Sequence, residues 1–194
     1  MPADLPAQHR MAGMQSEIYL KDVAERFRQY KNLGEKAMAQ VDDEGFFALL
    51  GEESNSIAII VKHIAGNQRS RWTDFLASDG EKANRHRDTE FELDNADSRT
   101  ELMSKWEEGW GLALKAIDSL KPADLDKTIR IRGEAHTVIS ALNRQLAHYA
   151  YHVGQIILLA RHYATSGWRS LSIPRGQSEN FNAGISANQT ADRK

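Results

Sequence analysis

The sequence predicts an all-α domain, a four-helix bundle with a long crossover between its second and third helices. Four long segments carry apolar residues that recur every three or four positions, which is the period of an amphipathic helix. The second and third segments are separated by residues 79–97, which are charged and almost without aliphatic side chains. Such a stretch indicates a long surface connection between helices. Bundles of this kind place metal sites in the core between facing helices.

The first two helices are predicted from their apolar stripes and from the breaks that follow them. Helix one is expected to begin at Ser16, a residue type that often caps helices, and to end at the sequence DDEG. Residues 1–15 are polar and contain two prolines, so they are predicted to form a flexible N-terminal arm. Helix two is expected to run from Ile57 to Leu76, and it carries His63.

The third helix is predicted from a start signal and a stop signal. Ser98 and Glu101 have the spacing of a capping box, and Lys121–Pro122 ends the apolar stripe. Residues 128–132 then alternate apolar and polar side chains before a glycine, which indicates a short extended segment or hairpin.

The last long helix carries two further histidines, His148 and His152. Thr137 is predicted to cap this helix, and Ser166–Gly167 to end it. The bundle with an ordered tail is therefore expected to span residues 16–183, and residues 184–194 are predicted to be disordered.

Composition excludes several classes of function. The net charge is −2, so nothing favours a nucleic-acid partner, and no apolar run approaches the roughly 18 to 20 residues of a membrane helix. The N-terminal residues lack the apolar region of a secretory signal. We therefore expect a soluble, cytoplasmic protein that binds neither nucleic acid nor membrane. The chain has no cysteine, which leaves histidine and carboxylates as candidate transition-metal ligands.

The spacing of His148 and His152 is compatible with one metal ion. Side chains four positions apart project from the same face of a helix, about one turn apart. The pair lies on the flank of the apolar stripe and is expected to point inward. Taken alone, H-x-x-x-H also arises by chance from two hydrogen-bonded core histidines.

His63 favours a metal site over separate core histidines. It lies among isoleucines and valine in helix two, where an unpaired imidazole would be desolvated. The sequence thus offers three inward-facing histidines on two helices of one bundle. Three protein ligands with an open position form the arrangement of a catalytic zinc site. Imidazole suits several metals, so the ligands alone do not select the ion.

Three separated blocks in the right order resemble an uncharacterised bacterial branch of the DinB-like superfamily, the DinB/YfiT type of metal-binding bundle. They are HIAGNQRSRWTDFLASDGEK, HYAYHVGQI and LSIPRGQSENFN. The resemblance covers about residues 16 to 183. It implies an up-down-down-up four-helix bundle, often dimeric, with a divalent metal held by His63, His148 and His152.

The resemblance also implies candidate activities, since some members of the superfamily look like S-transferases or isomerases that use bacterial low-molecular-weight thiols. We therefore expect a metal-dependent enzyme, of thiol S-transferase or hydrolase type, that acts on a small electrophilic substrate through a metal-bound thiol or water. Zinc or nickel is the expected ion, with iron, manganese and copper as alternatives. A non-catalytic, metal-stabilised or metal-sensing dimeric bundle is the competing interpretation.

Two further side chains are candidates for contact with a substrate, while the catalytic residues stay unassigned. Asn67 lies one turn beyond His63 and could order a substrate or a water, although an interhelical hydrogen bond would explain it equally. Arg71 could bind an acidic cosubstrate, although an arginine near the end of a helix is also favourably placed there without a ligand. A homodimer and a small-molecule substrate are the expected partners.

Overall fold

The computed structural model describes residues 7–164 and 167–191, with side chains described for residues 13–164 and 167–185. The chain is mostly helical, with one small two-stranded sheet. Six α-helices lie in the described residues, together with 3-10 turns at Arg87–Phe91 and Pro122–Asp124. The helices are α1 (Ala7–Met38), α2 (Asp43–Phe47), α3 (Ile57–Trp72), α4 (Arg99–Asp118), α5 (Val138–Tyr163) and α6 (Ser178–Ala191). The strands are β1 (Thr128–Ile131) and β2 (Glu134–Thr137), paired antiparallel.

Side-chain caps fix the starts of helices α3, α4 and α5. Ser56, Ser98 and Thr137 each accept a hydrogen bond from the backbone N–H three residues later, at the first turns of α3, α4 and α5. These caps satisfy amide groups that have no partner within the helix. The predicted caps at Ser98 and Thr137 are therefore confirmed.

The long helices α1, α3, α4 and α5 pack around one apolar core, with α3 against α4 and α1 against α5 as the main contacts. Aromatic rings fill its centre: Phe27 contacts Tyr149 and Trp72 edge-on, with ring centroids 5.7 Å apart in each pair. Trp110 lies 5.3 Å from Tyr149. Each fully buried side chain of this size stabilises the fold by roughly 1.5 to 3 kcal/mol. The α3–α5 contact within this core brings the histidine-bearing faces together.

The crossover between α3 and α4 is not only a surface connection. Its 3-10 turn packs against α3, and the side chains of Glu90 and Asp97 are buried. Its first residues join the β-hairpin, since the carboxylate of Asp79 accepts hydrogen bonds from the backbone N–H groups of Arg132 and Gly133. Both hairpin-turn residues have positive φ, 57° and 77°. Charged residues of the crossover therefore reach the interior of the protein.

Several predicted boundaries are wrong. Helix α1 begins at Ala7 rather than Ser16, so part of the expected arm is helical; whether that part is flexible stays a prediction, and residues 1–6 lie outside the described part. Helix α3 ends at Trp72, before the predicted Leu76, and turns follow it. Residues 7–14 contain alanine, glutamine and methionine, which favour a helix, so the start at Ala7 agrees with their helix propensity.

The C-terminal boundaries also differ from the prediction. Helix α5 ends at Tyr163, and Ser166 of the predicted stop lies outside the described residues. Residues 184–191, predicted to be disordered, belong to helix α6, while 192–194 are not described. Among the described helices, none has both the length and the apolarity needed to cross a membrane.

Candidate metal centre

The three predicted histidine ligands lie together where α3 faces α5. His63 is on α3, and His148 and His152 are one turn apart on α5. His63 and His152 are buried, with 4% and 8% of their surface exposed, whereas His148 is half-buried. The structure thus brings His63 together with two histidines that follow it by 85 and 89 positions in the sequence.

The Nε2 atoms of the three imidazoles converge. The Nε2 of His148 lies 3.2 Å from that of His63 and 3.1 Å from that of His152. One ligand atom from each residue lies within 4.8 Å of the others. Ligands about 2.0 to 2.1 Å from a tetrahedral zinc ion are separated by about 3.3 Å. The distances from Nε2 of His148 to the other two nitrogens therefore fit a shared metal ion.

Hydrogen bonds to the opposite ring nitrogens define the tautomers of two of these histidines. The Nδ1 of His63 lies 2.8 Å from a carboxylate oxygen of Glu90, which can only accept, so this nitrogen carries the proton. The Nδ1 of His152 lies 2.8 Å from Oε1 of Gln155, whose amide nitrogen donates to the hydroxyl of Tyr151. Both Nε2 atoms consequently present lone pairs towards His148.

His148 cannot satisfy both lone pairs with a proton. A neutral imidazole carries one N–H, so a proton on Nε2 of His148 serves at most one of its two neighbours. Its Nδ1 is buried and has no hydrogen-bond partner among the described residues. A cation at the point of convergence would accept all three lone pairs, so the donor set fits a metal ion better than it fits a hydrogen-bonded histidine cluster.

The cluster favours neutral imidazoles. Burial, followed by the neighbouring charges of His152 and His63, lowers the pKa of His148 to about 3. Burial lowers the pKa of His152 to about 4, although its hydrogen bond with Gln155 opposes the shift. Neutral imidazole is the form that coordinates metals, so the site is ready for an ion at pH 7 without first losing protons.

Glu90 supports the cluster from outside. Its two carboxylate oxygens accept hydrogen bonds of 2.8 Å from Nε and Nη2 of Arg85, while one of them also accepts the Nδ1 proton of His63. Burial raises the pKa of Glu90, but the hydrogen bonds from His63 and Arg85 outweigh it and hold the pKa below its usual value. In metal sites, a carboxylate that accepts the N–H of the other ring nitrogen fixes the orientation of a ligating histidine and increases its basicity.

The position of Glu90 depends on a glycine. A Cβ atom at Gly66, one turn from His63 on α3, would lie 2.4 Å from Oε1 and 2.7 Å from Cδ of Glu90. No ordinary side chain at this position leaves room for the carboxylate. Gly66 therefore permits the close approach of the crossover to α3.

A cavity of about 390 Å³ opens beside His63 and His148. Its walls come from α3, α5, the crossover and the hairpin. The lining includes five arginines, together with Asn67 and Gln145; the arginines are Arg71, Arg85, Arg87, Arg132 and Arg144. His63 and His148 belong to its wall, so the cavity borders the histidine cluster.

The two predicted substrate-binding residues, Asn67 and Arg71, both line this cavity. Asn67 is buried, and its Oδ1 accepts a 3.1 Å hydrogen bond from the hydroxyl of Tyr149, which is the interhelical hydrogen bond considered as its alternative. Arg71 is also buried and lies 2.8 Å from a carboxylate oxygen of Glu81. Both residues thus have structural partners, and substrate contact by either one stays a prediction.

Sequence reasoning missed the supporting residues Glu90, Arg85 and Gln155. Glu90 and Arg85 lie in the charged crossover, where no periodicity distinguishes a buried carboxylate from an exposed one. Gln155 is three residues after His152 on α5, and this helical spacing could have indicated that the two side chains are in contact. The arginines of the cavity come from four separate segments, so their proximity required the fold.

Comparison with known proteins places this geometry in a family without an assigned activity. The model of the family described as "Protein of unknown function (DUF1572)" matches residues 14–177. No curated protein matches the chain. The matched range contains the whole histidine cluster and the arginine-lined cavity.

Proposed function

The chain belongs to the DUF1572 family. We propose that it binds one divalent metal ion through His63, His148 and His152 and that it acts as a metal-dependent enzyme. Zinc or nickel is the proposed ion, and a small electrophilic molecule is the proposed substrate. The reaction is of thiol S-transferase or hydrolase type.

The observation that carries this proposal is the convergence of three Nε2 atoms, two of which present lone pairs because hydrogen bonds place the proton on Nδ1. Without an ion this arrangement is unfavourable, because Nε2 of His148 can donate to at most one of the two lone pairs and the other stays desolvated without a donor. A metal ion removes that penalty. The carboxylate of Glu90 and the amide oxygen of Gln155 then hold the rings in the orientation that the ion needs.

The absence of a fourth protein ligand favours an enzyme over a purely structural site. Structural zinc sites are normally closed by four protein ligands, whereas catalytic sites keep one position open. Within the described residues, the cluster comprises three histidines and no carboxylate, and Glu90 is engaged with the outer nitrogen of His63. The cavity lined by His63 and His148 would supply space for a substrate beside the ion.

A bound divalent ion would supply Lewis acidity, lowering the pKa of a water or thiol at the open position. The residues of the chain supply the rest. Glu90 and Gln155 hold the imidazoles, and the arginines of the cavity orient the substrate. Because the chain has no cysteine, the thiol of a transferase reaction must come from a small molecule. Hydrolysis and thiol transfer thus differ in what enters the cavity.

The sequence resemblance to the DinB-like superfamily supports the remaining parts of the proposal. On this basis we infer that α1, α3, α4 and α5 form an up-down-down-up four-helix bundle and that the protein is a cytoplasmic homodimer. The packing of the same four helices around one core agrees with such a bundle. The balanced charge favours neither nucleic acid nor membrane as a partner.

The metal can be tested by elemental analysis of protein purified without a metal-affinity tag. We expect close to one equivalent of metal in the wild type and a near-complete loss in His63→Ala and His148→Ala. His162→Ala is the matched control, because His162 is exposed on the same helix α5. Equal metal content in all four proteins would contradict the site.

The reaction class can be tested with a panel of low-molecular-weight thiols and reactive electrophiles, assayed with and without chelator. Turnover that chelator abolishes and that depends on the thiol supports the transferase. Chelator-sensitive turnover of esters or amides without thiol supports the hydrolase. Stoichiometric metal with no turnover in either panel would favour the metal-stabilised, non-catalytic interpretation.

A further inference from the structure

The cavity beside the histidine cluster concentrates positive charge in a chain whose net charge is −2. Five arginines line it, and the only carboxylates paired with them by hydrogen bonds in the described residues are Glu81 and Glu90. Five guanidinium groups against these two carboxylates and the exposed Asp88, 3.6 Å from Arg87, leave an excess of positive charge. A divalent ion on the histidines would increase it further.

Part of this array has a structural role. Glu81 lies within 3.2 Å of Arg71, Arg85 and Arg132, so one carboxylate joins α3, the crossover and the hairpin. Arg85 also forms an ion pair with Glu90, with its Nε 2.8 Å from a carboxylate oxygen. These contacts account for the positions of three arginines without any ligand.

The other two arginines, Arg87 and Arg144, form no hydrogen bond with a carboxylate among the described residues. The guanidinium group of Arg144, exposed on α5, makes no ion pair or hydrogen bond with any residue that the structure describes. Arg87 lies over the ring of Phe91, and its carboxylate neighbour is Asp88, 3.6 Å away and 97% exposed at its side chain. Both guanidinium groups border the cavity and remain available to a ligand.

Buried donors at the cavity point to the same conclusion. Arg71 is 4% exposed, and its Nε has no hydrogen-bond partner within the described part of the chain. The Nδ1 of His148, in the same wall, is likewise buried and unpartnered. A buried N–H group without an acceptor is unfavourable, so an incoming acceptor would stabilise the Nε–H group of Arg71.

We propose that this cavity is a subsite for the anionic group, a carboxylate or a phosphate, of a small substrate or cosubstrate. Arg144 and Arg87 bind the anion from the open side, and Arg71 contributes from the buried side. Planar guanidinium groups bind both anions with paired hydrogen bonds, and about 390 Å³ suits a small ligand. The inference rests on the proposed function for its catalytic meaning: the anion anchors a molecule whose reacting group reaches the metal.

The test is calorimetric titration of the metal-loaded protein with inorganic phosphate and, separately, with succinate. We expect wild type to bind at least one of them, and Arg144→Gln to bind it about tenfold more weakly while keeping its metal. Arg161→Gln is the matched control, since Arg161 is an exposed arginine on the same helix that does not line the cavity. Preference for phosphate or for succinate identifies the source of the charge.

Two results would overturn the subsite: no binding of either anion by wild type, or equal affinity in wild type and Arg144→Gln. Titration of the metal-free His152→Ala variant separates this inference from the proposed function. Anion binding that persists there and still depends on Arg144 supports the subsite even if the chain proves to hold no metal. Tenfold weaker anion binding by Arg144→Gln at unchanged metal content supports the subsite separately from the metal site.

Discussion

Replacing Gly66 by alanine should weaken metal binding without touching a ligand. The added Cβ would lie 2.4 Å from Oε1 and 2.7 Å from Cδ of Glu90, so the carboxylate must move. Because this carboxylate holds the Nδ1 proton of His63 at 2.8 Å, its displacement frees the ring to turn and makes it less basic.

The expected magnitude follows from the role of such supporting carboxylates. Loss of one typically lowers metal affinity about 10- to 100-fold, which corresponds to about 1.4 to 2.7 kcal/mol. Alanine in place of a helical glycine would by itself stabilise the helix by roughly 0.5 to 1 kcal/mol. The variant should therefore fold while binding its ion poorly, which distinguishes a site effect from general destabilisation.

The assay is competition for zinc with a chromogenic chelator, accompanied by thermal unfolding of the metal-free protein. Gly111→Ala is the control, because Gly111 lies within α4 and an added Cβ would meet no atom within 4 Å. Its zinc affinity should equal that of wild type. A folded Gly66→Ala protein whose zinc Kd lies within twofold of the wild-type value would refute the supporting role of Glu90.

Three further predictions concern stability. Tyr149→Phe should lower the free energy of unfolding by about 1 to 3 kcal/mol in urea titrations, because Asn67 and Trp72 lose their buried hydrogen-bond partner. Chelation should lower the Tm of metal-loaded protein by about 5 to 10 °C. This shift corresponds to the stabilisation of about 2.7 kcal/mol that a ligand gives when its free concentration is about 100 times its Kd. An unchanged Tm would speak against a resident ion. Burial raises the pKa of Asp97, but hydrogen bonds from Lys62 and Lys105 hold it below its usual value. This stabilisation is present above the unfolded-state pKa of about 3.9 and is lost as the pH falls through the folded-state pKa, so Asp97→Asn should be destabilised at pH 7 and approach wild type in acid.

The histidine cluster could be predicted because its information is local. Helical spacing places His148 and His152 on one face, and the apolar neighbours of His63 indicate an inward side chain. That these faces meet depends only on packing α3 against α5. The same periodicity predicted the four long helices, and side-chain chemistry predicted the caps at Ser98 and Thr137.

The support of the cluster could not be predicted from such patterns. Glu90 lies 27 residues beyond His63 in a charged segment, and its burial is stabilised by Arg85 and by the space at Gly66. These are tertiary contacts between residues with no shared period. A buried charge is tolerated only when its partners are in place, and composition does not show those partners. The charged composition of the crossover therefore suggested a solvated segment, whereas the fold buries the carboxylate of Glu90.

X-ray absorption at the zinc edge tests the central claim most directly, since it counts the imidazole ligands of the ion. We expect protein loaded with one equivalent of zinc to show three imidazole nitrogens at about 2.0 to 2.1 Å and one further light atom that exchanges with added ligand. His148→Ala should lose one imidazole from this shell. A wild-type spectrum with two or fewer imidazoles, or one unchanged by His148→Ala, would contradict the account.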